Sequence, residues 1–188
     1  MIYVKEIIES PRVGAYTLIT IDGRAGSGKS TLARYLADVY HATVFQSDDF
    51  SGWENALDWQ SNFIAVVLTP LAENRLPITY QPVSWWDGHH PELKVVEQVN
   101  QIIILEGTGA NHSLLENISS LRLFVDTPTH LCLERGIERD VAAGIPIDEV
   151  RARWNEWQHK EDEYFLNNPV VGSITTLDGQ KDFQLQIT

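Results

Sequence analysis

The stretch that decides the fold is IDGRAGSGKST, from Ile21 to Thr31. The residues before it, from Tyr16 to Asp22, are mostly apolar or β-branched, which predicts a strand buried on both faces. The residues after it, from Ser30 to Ala37, repeat their apolar positions at helical spacing. The sequence therefore predicts a strand, a glycine-rich turn and a helix in direct succession.

The glycine-rich turn has the spacing G-x-x-x-x-G-K-S of a Walker A loop. In such a loop, glycines allow successive backbone N–H groups to surround phosphate oxygens, and the following helix directs its positive end at the same anion. We therefore expect ATP as the bound nucleotide, with Lys29 at its β- and γ-phosphates and Ser30 on Mg²⁺. The expected nucleotide-binding residues are Gly23, Arg24, Ala25, Gly26, Ser27, Gly28, Lys29, Ser30 and Thr31.

Composition and charge limit the remaining possibilities. With 188 residues, 43% of them hydrophobic, the chain is expected to form one domain over residues 1–188, as a monomer or homodimer. A net charge of −12 disfavours nucleic acid as a partner. No apolar run is long enough to cross a bilayer, and acidic residues interrupt the N-terminal apolar stretch, so we expect a cytoplasmic protein without a membrane partner. The single cysteine, Cys132, is expected in the core.

Further apolar strands alternate with helical patterns along the chain. Strands are predicted at 42–46, 101–106, 121–126 and 173–177, and helices at about 55–73, 129–143 and 147–167. This alternation predicts a three-layer α/β fold, in which helices cover both faces of a mostly parallel sheet of about five strands. An irregular insertion on the substrate side is expected at about 76–91, and the helix at 129–143 is the expected lid.

Two aspartates follow the second predicted strand. Asp48 is expected at the carboxyl end of the sheet beside the phosphate loop, where a carboxylate can accept a proton from an attacking hydroxyl or bind Mg²⁺. Asp49 is a candidate to hold a metal-bound water or to contact the substrate. Turn and helix-capping chemistry explains the same Ser-Asp-Asp sequence equally well, so both interpretations stay open.

An acidic residue and two arginines complete the predicted charged groups. Glu106 ends an apolar strand at the Walker B position, where it is expected near Mg²⁺ unless it caps the next turn. Arg135 and Arg139 lie four residues apart and can clamp phosphates from one helix face. A solvated face paired with Glu134 and Glu138 is the alternative.

Aromatic residues form two groups. The irregular segment crowds aromatic and polar side chains, which are suited to contact a ring-containing acceptor or simply pack as a loop. The candidate substrate residues are Asp49, Tyr80, Trp85, Asp87 and His90. The second group falls at helical spacing, which is typical of core, and consists of Trp154, Trp157, Glu161, Tyr164 and Phe165.

Four short segments carry a resemblance to a known family: GRAGSGKST at 23–31, SDDF at 47–50, ILEG at 104–107 and RGIERD at 135–140. Through them the chain resembles P-loop small-molecule kinases of the uridine kinase-like group, which includes relatives of phosphoribulokinase and pantothenate kinase. It is also similar to actinobacterial-type ATP-binding proteins of this group, through Gly52-Trp53 and the pattern W-x-x-W-x-x-x-E at 154–161. The resemblance implies the P-loop NTPase fold, Asp48 as the base that deprotonates the acceptor, and Arg135, Arg139 and Asp140 in the lid.

The expected function is therefore ATP-dependent transfer of a phosphoryl group to a hydroxyl of a small metabolite, such as a nucleoside like uridine. A kinase of an anionic acceptor, either a nucleotide or a sugar acid, is the first alternative, for which Arg75 is the evident extra cation. A nucleotide-dependent switch is the second, because DFSG at 49–52 fits D-x-x-G. By analogy with the fold, the adenine is expected near Asp178 and Gly179.

Overall fold

The structure, a computed structural model, describes residues 11–83, 91–169 and 172–183. In chain order its helices and strands are β1 (Thr17–Asp22), α1 (Lys29–Tyr40), β2 (Thr43–Gln46), α2 (Gln60–Phe63), α3 (Thr69–Ala72), β3 (Ile78–Tyr80), β4 (Lys94–Val96), β5 (Ile102–Glu106), α4 (Ser113–Glu116), β6 (Ser119–Asp126), α5 (Thr129–Ala142), α6 (Ile147–Asn167) and β7 (Thr175–Asp178). No helix within these ranges is long and apolar enough to cross a membrane.

A parallel sheet of five strands forms the centre of the molecule, in the order β2-β5-β1-β6-β7. The predicted parallel α/β architecture is thus confirmed. β1 lies in the middle and all six of its residues are buried, as expected for a strand with covered faces. Because every strand of this sheet runs in one direction, the loop after β1 and the residues after β2 and β5 meet at the same edge.

Both faces of the sheet carry a hydrophobic core. Neighbouring residues of β5 alternate between them: Ile103 and Leu105 belong to one core cluster, Ile102 and Ile104 to the other. The first cluster packs against the helical segment from α2 to α3, and the second packs against α1. The apolar strands are therefore covered on both sides, which fixes the three-layer arrangement.

The prediction of one regular helix at about 55–73 is wrong in two respects: the helix begins later than predicted, and a turn of different geometry interrupts it. Asn55 is not helical, because its side-chain oxygen accepts the Gly52 N–H and its amide donates to the Phe50 carbonyl. The helical segment begins at Gln60, and a π-helical turn, Ile64–Leu68, separates α2 from α3. Pro70 explains the irregularity, because proline has no N–H for the helical hydrogen-bond pattern.

The insertion predicted at about 76–91 contains β3, which forms a two-stranded antiparallel hairpin with β4 beyond the predicted range, so that Ile78 pairs with Val96 and Tyr80 with Lys94. The strands predicted at 121–126 and 173–177 form with shifted ends, and the lid and C-terminal helices form almost as predicted. Residues 84–90 lie outside the described ranges, and three of the candidate substrate residues, Trp85, Asp87 and His90, fall there.

Helices α5 and α6 cross in close contact at one glycine. A Cβ atom built on Gly136 would lie 2.0 Å from a ring carbon of Trp154. The Trp154 ring cannot move away freely, because its indole N–H donates to Asp140 Oδ2 at 2.7 Å. Gly136 therefore sets how closely α6 approaches α5.

Replacing Gly136 by alanine should destabilise the fold. Alanine gains up to about 1 kcal/mol in helix propensity, but overpacking costs about 1–3 kcal/mol, so we expect a net loss of about 1–2 kcal/mol in the free energy of unfolding. Urea denaturation measures this loss. Glu138→Ala, at an exposed position of the same helix, should change it by less than about 0.5 kcal/mol. Equal stability of Gly136→Ala and the parent would contradict the close crossing.

Candidate active site

The glycine-rich loop takes the shape of an anion-binding turn. Gly26 has a φ of 81°, and a Cβ at this position would lie 2.2 Å from the Cys132 carbonyl oxygen, so the loop needs glycine here. Lys29 begins α1, and its Nζ donates to the Arg24 carbonyl at 2.8 Å, across the loop. The lysine charge is thus held inside the curve of backbone N–H groups, where phosphate oxygens would bind.

Beside the loop, one hydroxyl and one carboxylate offer oxygen atoms to a metal. Ser30 Oγ donates to Glu106 Oε1 at 2.9 Å, and Gln46 Nε2 donates to the same oxygen at 3.2 Å. Hard oxygen ligands of this kind suit Mg²⁺, which is usually bound by one or two protein oxygens together with phosphates. Ser30 and Glu106 therefore fit a metal that arrives with a nucleotide.

The two adjacent aspartates point to different places. Asp48 lines the same cavity as Lys29 and Glu106. Asp49 instead accepts the Tyr80 hydroxyl at 2.9 Å and pairs with Lys94 Nζ at 2.7 Å, at the base of the hairpin. Burial, together with the Asp49 charge, raises the pKa of Tyr80. The structure therefore brings Asp48 to the cavity beside the phosphate loop, while Asp49 and Tyr80, both predicted to contact substrate, line a neighbouring cavity that also includes Ser30 and Glu106.

The cavity has a volume of about 400 Å³ and lies between the phosphate loop, the end of β2 and the helices α5 and α6. Its wall combines charged and aromatic side chains. The charged residues of the wall are Lys29, Asp48, Glu106, Arg139, Asp140 and Arg153, and the aromatic ones are Trp53, Trp154 and Trp157. This size and composition are typical of a small-molecule site.

The two predicted lid arginines lie in different surroundings. Arg139 lines the cavity, pairs with Asp140 at 2.8 Å and lies over the Trp154 ring, 5.6 Å from its centroid. Arg135 does not line it and lies 3.4 Å from the Gly179 carbonyl, in the turn after β7 where the adenine is expected. The structure therefore brings only Arg139 of this pair to the cavity.

Arg75, the candidate for binding an acceptor anion, is exposed and pairs with Glu73, two residues away in the chain. Arg153 on α6 lines the cavity together with Lys29 and Arg139, and sequence reasoning missed it. A signal for it exists: residue 153 lies on the same helix face as Val150, Trp154 and Trp157.

Glu161, which sequence reasoning grouped with the helical stripe typical of core, lies in the latter half of α6 and is only 2% exposed. Its carboxylate accepts the N–H of Ala25 at 2.7 Å and the Thr108 hydroxyl at 3.2 Å, and it pairs with Arg24 at 3.6 Å. Burial raises the pKa of Glu161, although the Ala25 hydrogen bond and the Lys29 charge act in the opposite direction. Glu161 thus attaches α6 to the phosphate loop.

The aromatic side chains of α6 therefore contribute both to the hydrophobic packing and to the wall of the cavity. Trp154 and Trp157 line the cavity, whereas Phe165 packs edge-on against Phe124 and under the guanidinium of Arg24. The position of Glu161 on the apolar face of a helix is the signal from which its buried contacts could have been predicted.

The raised pKa of Glu161 predicts a pH-dependent stability. The folded chain binds this proton more tightly than the unfolded chain, so the stabilisation is complete below pH 4.5 and is lost as pH rises through the folded-state pKa. Glu161→Gln keeps the shape without titrating. We expect the stability of the variant relative to the parent, measured by urea denaturation, to increase as pH rises above 4.5, and a pH-independent difference would contradict this. Asp162→Asn, an exposed neighbour that also removes a partner of Arg24, should show no such gain.

Comparison with known proteins supports the fold. No family model and no curated protein matches the chain. Among solved structures, it is similar to a Bacillus stearothermophilus protein provisionally named a uridine kinase, with 18% identity, a TM-score of 0.63, and coverage of 93% of this chain and 94% of the other. It is also similar to a provisionally named fructose transport system kinase from Silicibacter sp. TM1040, with 17% identity, a TM-score of 0.61, and coverage of 92% and 94%.

These similarities extend over nearly the whole chain, while the sequence identities are low. The resemblance predicted from the Walker A loop and the segments around it is thereby confirmed for the fold. The chain has the P-loop NTPase-like α/β fold of small-molecule kinases.

Proposed function

We propose that this protein is a Mg²⁺-dependent kinase that transfers the γ-phosphoryl group of ATP to a hydroxyl of a small metabolite. The observation that carries the proposal is the presence of Lys29, Ser30, Asp48 and Glu106 around one cavity next to a glycine-rich loop. A phosphate site, a metal site and a carboxylate base are the parts that phosphoryl transfer needs, because catalysis here is positioning and charge stabilisation. We propose a cytoplasmic location, because MgATP is available there. The protein would act on a small molecule as a monomer or homodimer.

Each group has a distinct part in this proposal. Lys29 and the loop N–H groups hold phosphate oxygens, and Ser30 and Glu106 hold the metal. Bound MgATP supplies the phosphoryl group, and the metal neutralises charge on the phosphates. Arg139 adds positive charge on the acceptor side of the loop.

Asp48 provides the chemistry on the acceptor. Its carboxylate accepts the hydroxyl proton while the acceptor oxygen forms a bond to the γ-phosphorus, and the bond between that phosphorus and the β–γ bridging oxygen breaks. The products are the phosphorylated acceptor and ADP, with the proton on Asp48. A nucleoside such as uridine, a nucleotide and a sugar acid are the acceptor classes to compare.

The adjacent aspartates give a matched test of the base. Asp48→Asn removes the proton acceptor but keeps the shape, so acceptor-dependent ADP release should fall at least about 100-fold while the Kd for ATP changes little. Asp49→Asn removes the negative charge and so weakens the contacts to Tyr80 and Lys94. It should lower the free energy of unfolding while changing kcat little. Kinetics over a panel of nucleosides, nucleotides and sugar acids, with calorimetric ATP binding, measures both. ADP release that ignores every acceptor and survives Asp48→Asn would favour a nucleotide-dependent switch.

The phosphate loop has its own test. Lys29→Ala removes the only side-chain charge shown inside the loop, so phosphoryl transfer should fall at least about 100-fold with an unchanged fold. Arg34→Ala, an exposed cation on the same helix, is the matched control and should retain activity. Unchanged turnover of a folded Lys29→Ala protein would contradict the assignment of the loop.

A further inference from the structure

We propose that the acceptor is an anion: a small hydroxylated molecule that carries a carboxylate or phosphate group beside a planar or apolar portion. Arg153 would bind the anionic group, and Trp53 and Trp157 would contact the planar portion. The inference rests on the proposed kinase function and adds the substrate class to it.

The first support is the position of Arg153 on α6. Val150, Arg153, Trp154 and Trp157 are spaced i, i+3, i+4 and i+7, so they share one helix face, and all four line the cavity. A cation that serves only solubility belongs on the outer face, where Arg151 is exposed. Arg153 shares the cavity wall with the tryptophans and about 33% of its side chain is exposed, and a guanidinium in such a wall can bind a carboxylate or phosphate through paired hydrogen bonds.

The second support is that an incoming anion can replace Glu149 as a partner of Arg153. Arg153 pairs with Glu149 one helical turn earlier, and about 45% of the Glu149 side chain is exposed. An exposed ion pair of this spacing is weak, so a ligand carboxylate or phosphate competes with Glu149 at little cost. Glu149 is one partner of Arg153, and an incoming anion can take its place.

The third support is the separation between Arg153 and the phosphate loop. Glu161, which contacts the loop at Ala25, lies eight residues further along the same helix. At 1.5 Å per residue, this separation is about 12 Å along the helix axis. Lys29 and Arg139 lie in the same wall, so the nucleotide phosphates have other cations. Arg153 is therefore a candidate to bind a second anionic group rather than the nucleotide phosphates.

The fourth support is the aromatic part of the cavity wall. Trp53 and Trp157 meet edge-to-face with ring centroids 6.2 Å apart, and both remain partly exposed in the ligand-free protein. Indole rings offer a large apolar surface that favours planar or apolar ligand portions. A ligand that fills the cavity thus meets Asp48 with its hydroxyl, the tryptophans with its middle and Arg153 with its anionic group.

Matched pairs of probes test the inference. Uridine 5′-monophosphate with uridine, and shikimate with its methyl ester, differ within each pair in the anionic group, as phosphate in the first pair and carboxylate in the second. Binding is followed by tryptophan fluorescence, because three tryptophans line the cavity, and phosphorylation by ADP release. We expect the anionic member of at least one pair to bind at least about tenfold more tightly than its neutral partner. Arg153→Gln should remove this preference, and Arg151→Gln should retain it.

The outcomes separate this inference from the kinase proposal. Phosphorylation of a neutral probe, abolished by Asp48→Asn but unaffected by Arg153→Gln, would overturn the anionic acceptor and leave the kinase standing. Equal affinity within both pairs, or no fluorescence response to either anion at millimolar concentration, would also overturn it. A preference for the anion that Arg153→Gln removes while the Kd for ATP stays unchanged would support it, whichever of the two anionic groups is preferred.

Discussion

The rest of the site depends on one buried carboxylate at the end of the central strand. Asp22 is 1% exposed and accepts three backbone N–H groups, from Gly23 at 2.6 Å and from Gly109 and Asn111 at 2.9 Å. It thereby ties the start of the phosphate loop to the loop after β5. Burial raises the pKa of Asp22, and the three hydrogen bonds act against that shift. The two loops hold their relative position because separating them would leave this group without partners inside the protein.

Helix α6 lines part of the cavity that these loops border. Its first half supplies Arg153 and the tryptophans, and its second half supplies Glu161, which contacts Ala25 and Thr108. The same helix therefore contributes both to the cavity wall and to the contact that holds the phosphate loop.

The features predicted correctly from the sequence are those that depend on residues close together in the chain. The strands follow from apolar runs, and the phosphate loop follows from its glycine spacing. The break before Gln60 was missed because it depends on Asn55, whose side chain competes for backbone groups. The different positions of Asp48 and Asp49 could not be predicted, because they depend on Lys94, 45 residues further along the chain, which pairs with Asp49. Arg153 and the role of Glu161 were missed for the same kind of reason: both depend on how α6 packs against α5 and the phosphate loop.

An anionic nucleotide and an anionic acceptor are compatible with a chain of net charge −12. Exposed charges further apart than about 8 Å are largely screened at physiological ionic strength, so the acidic surface acts weakly on a ligand inside the cavity. Within the cavity, Lys29, Arg139 and Arg153 act at short range and partly away from water. The same wall also carries the carboxylates of Asp48, Glu106 and Asp140, so the positive groups act on a ligand through direct pairing rather than through a net positive field. We therefore propose that a small anion that fits inside the cavity is a better partner than a long polyanion such as nucleic acid, which the net charge of −12 disfavours.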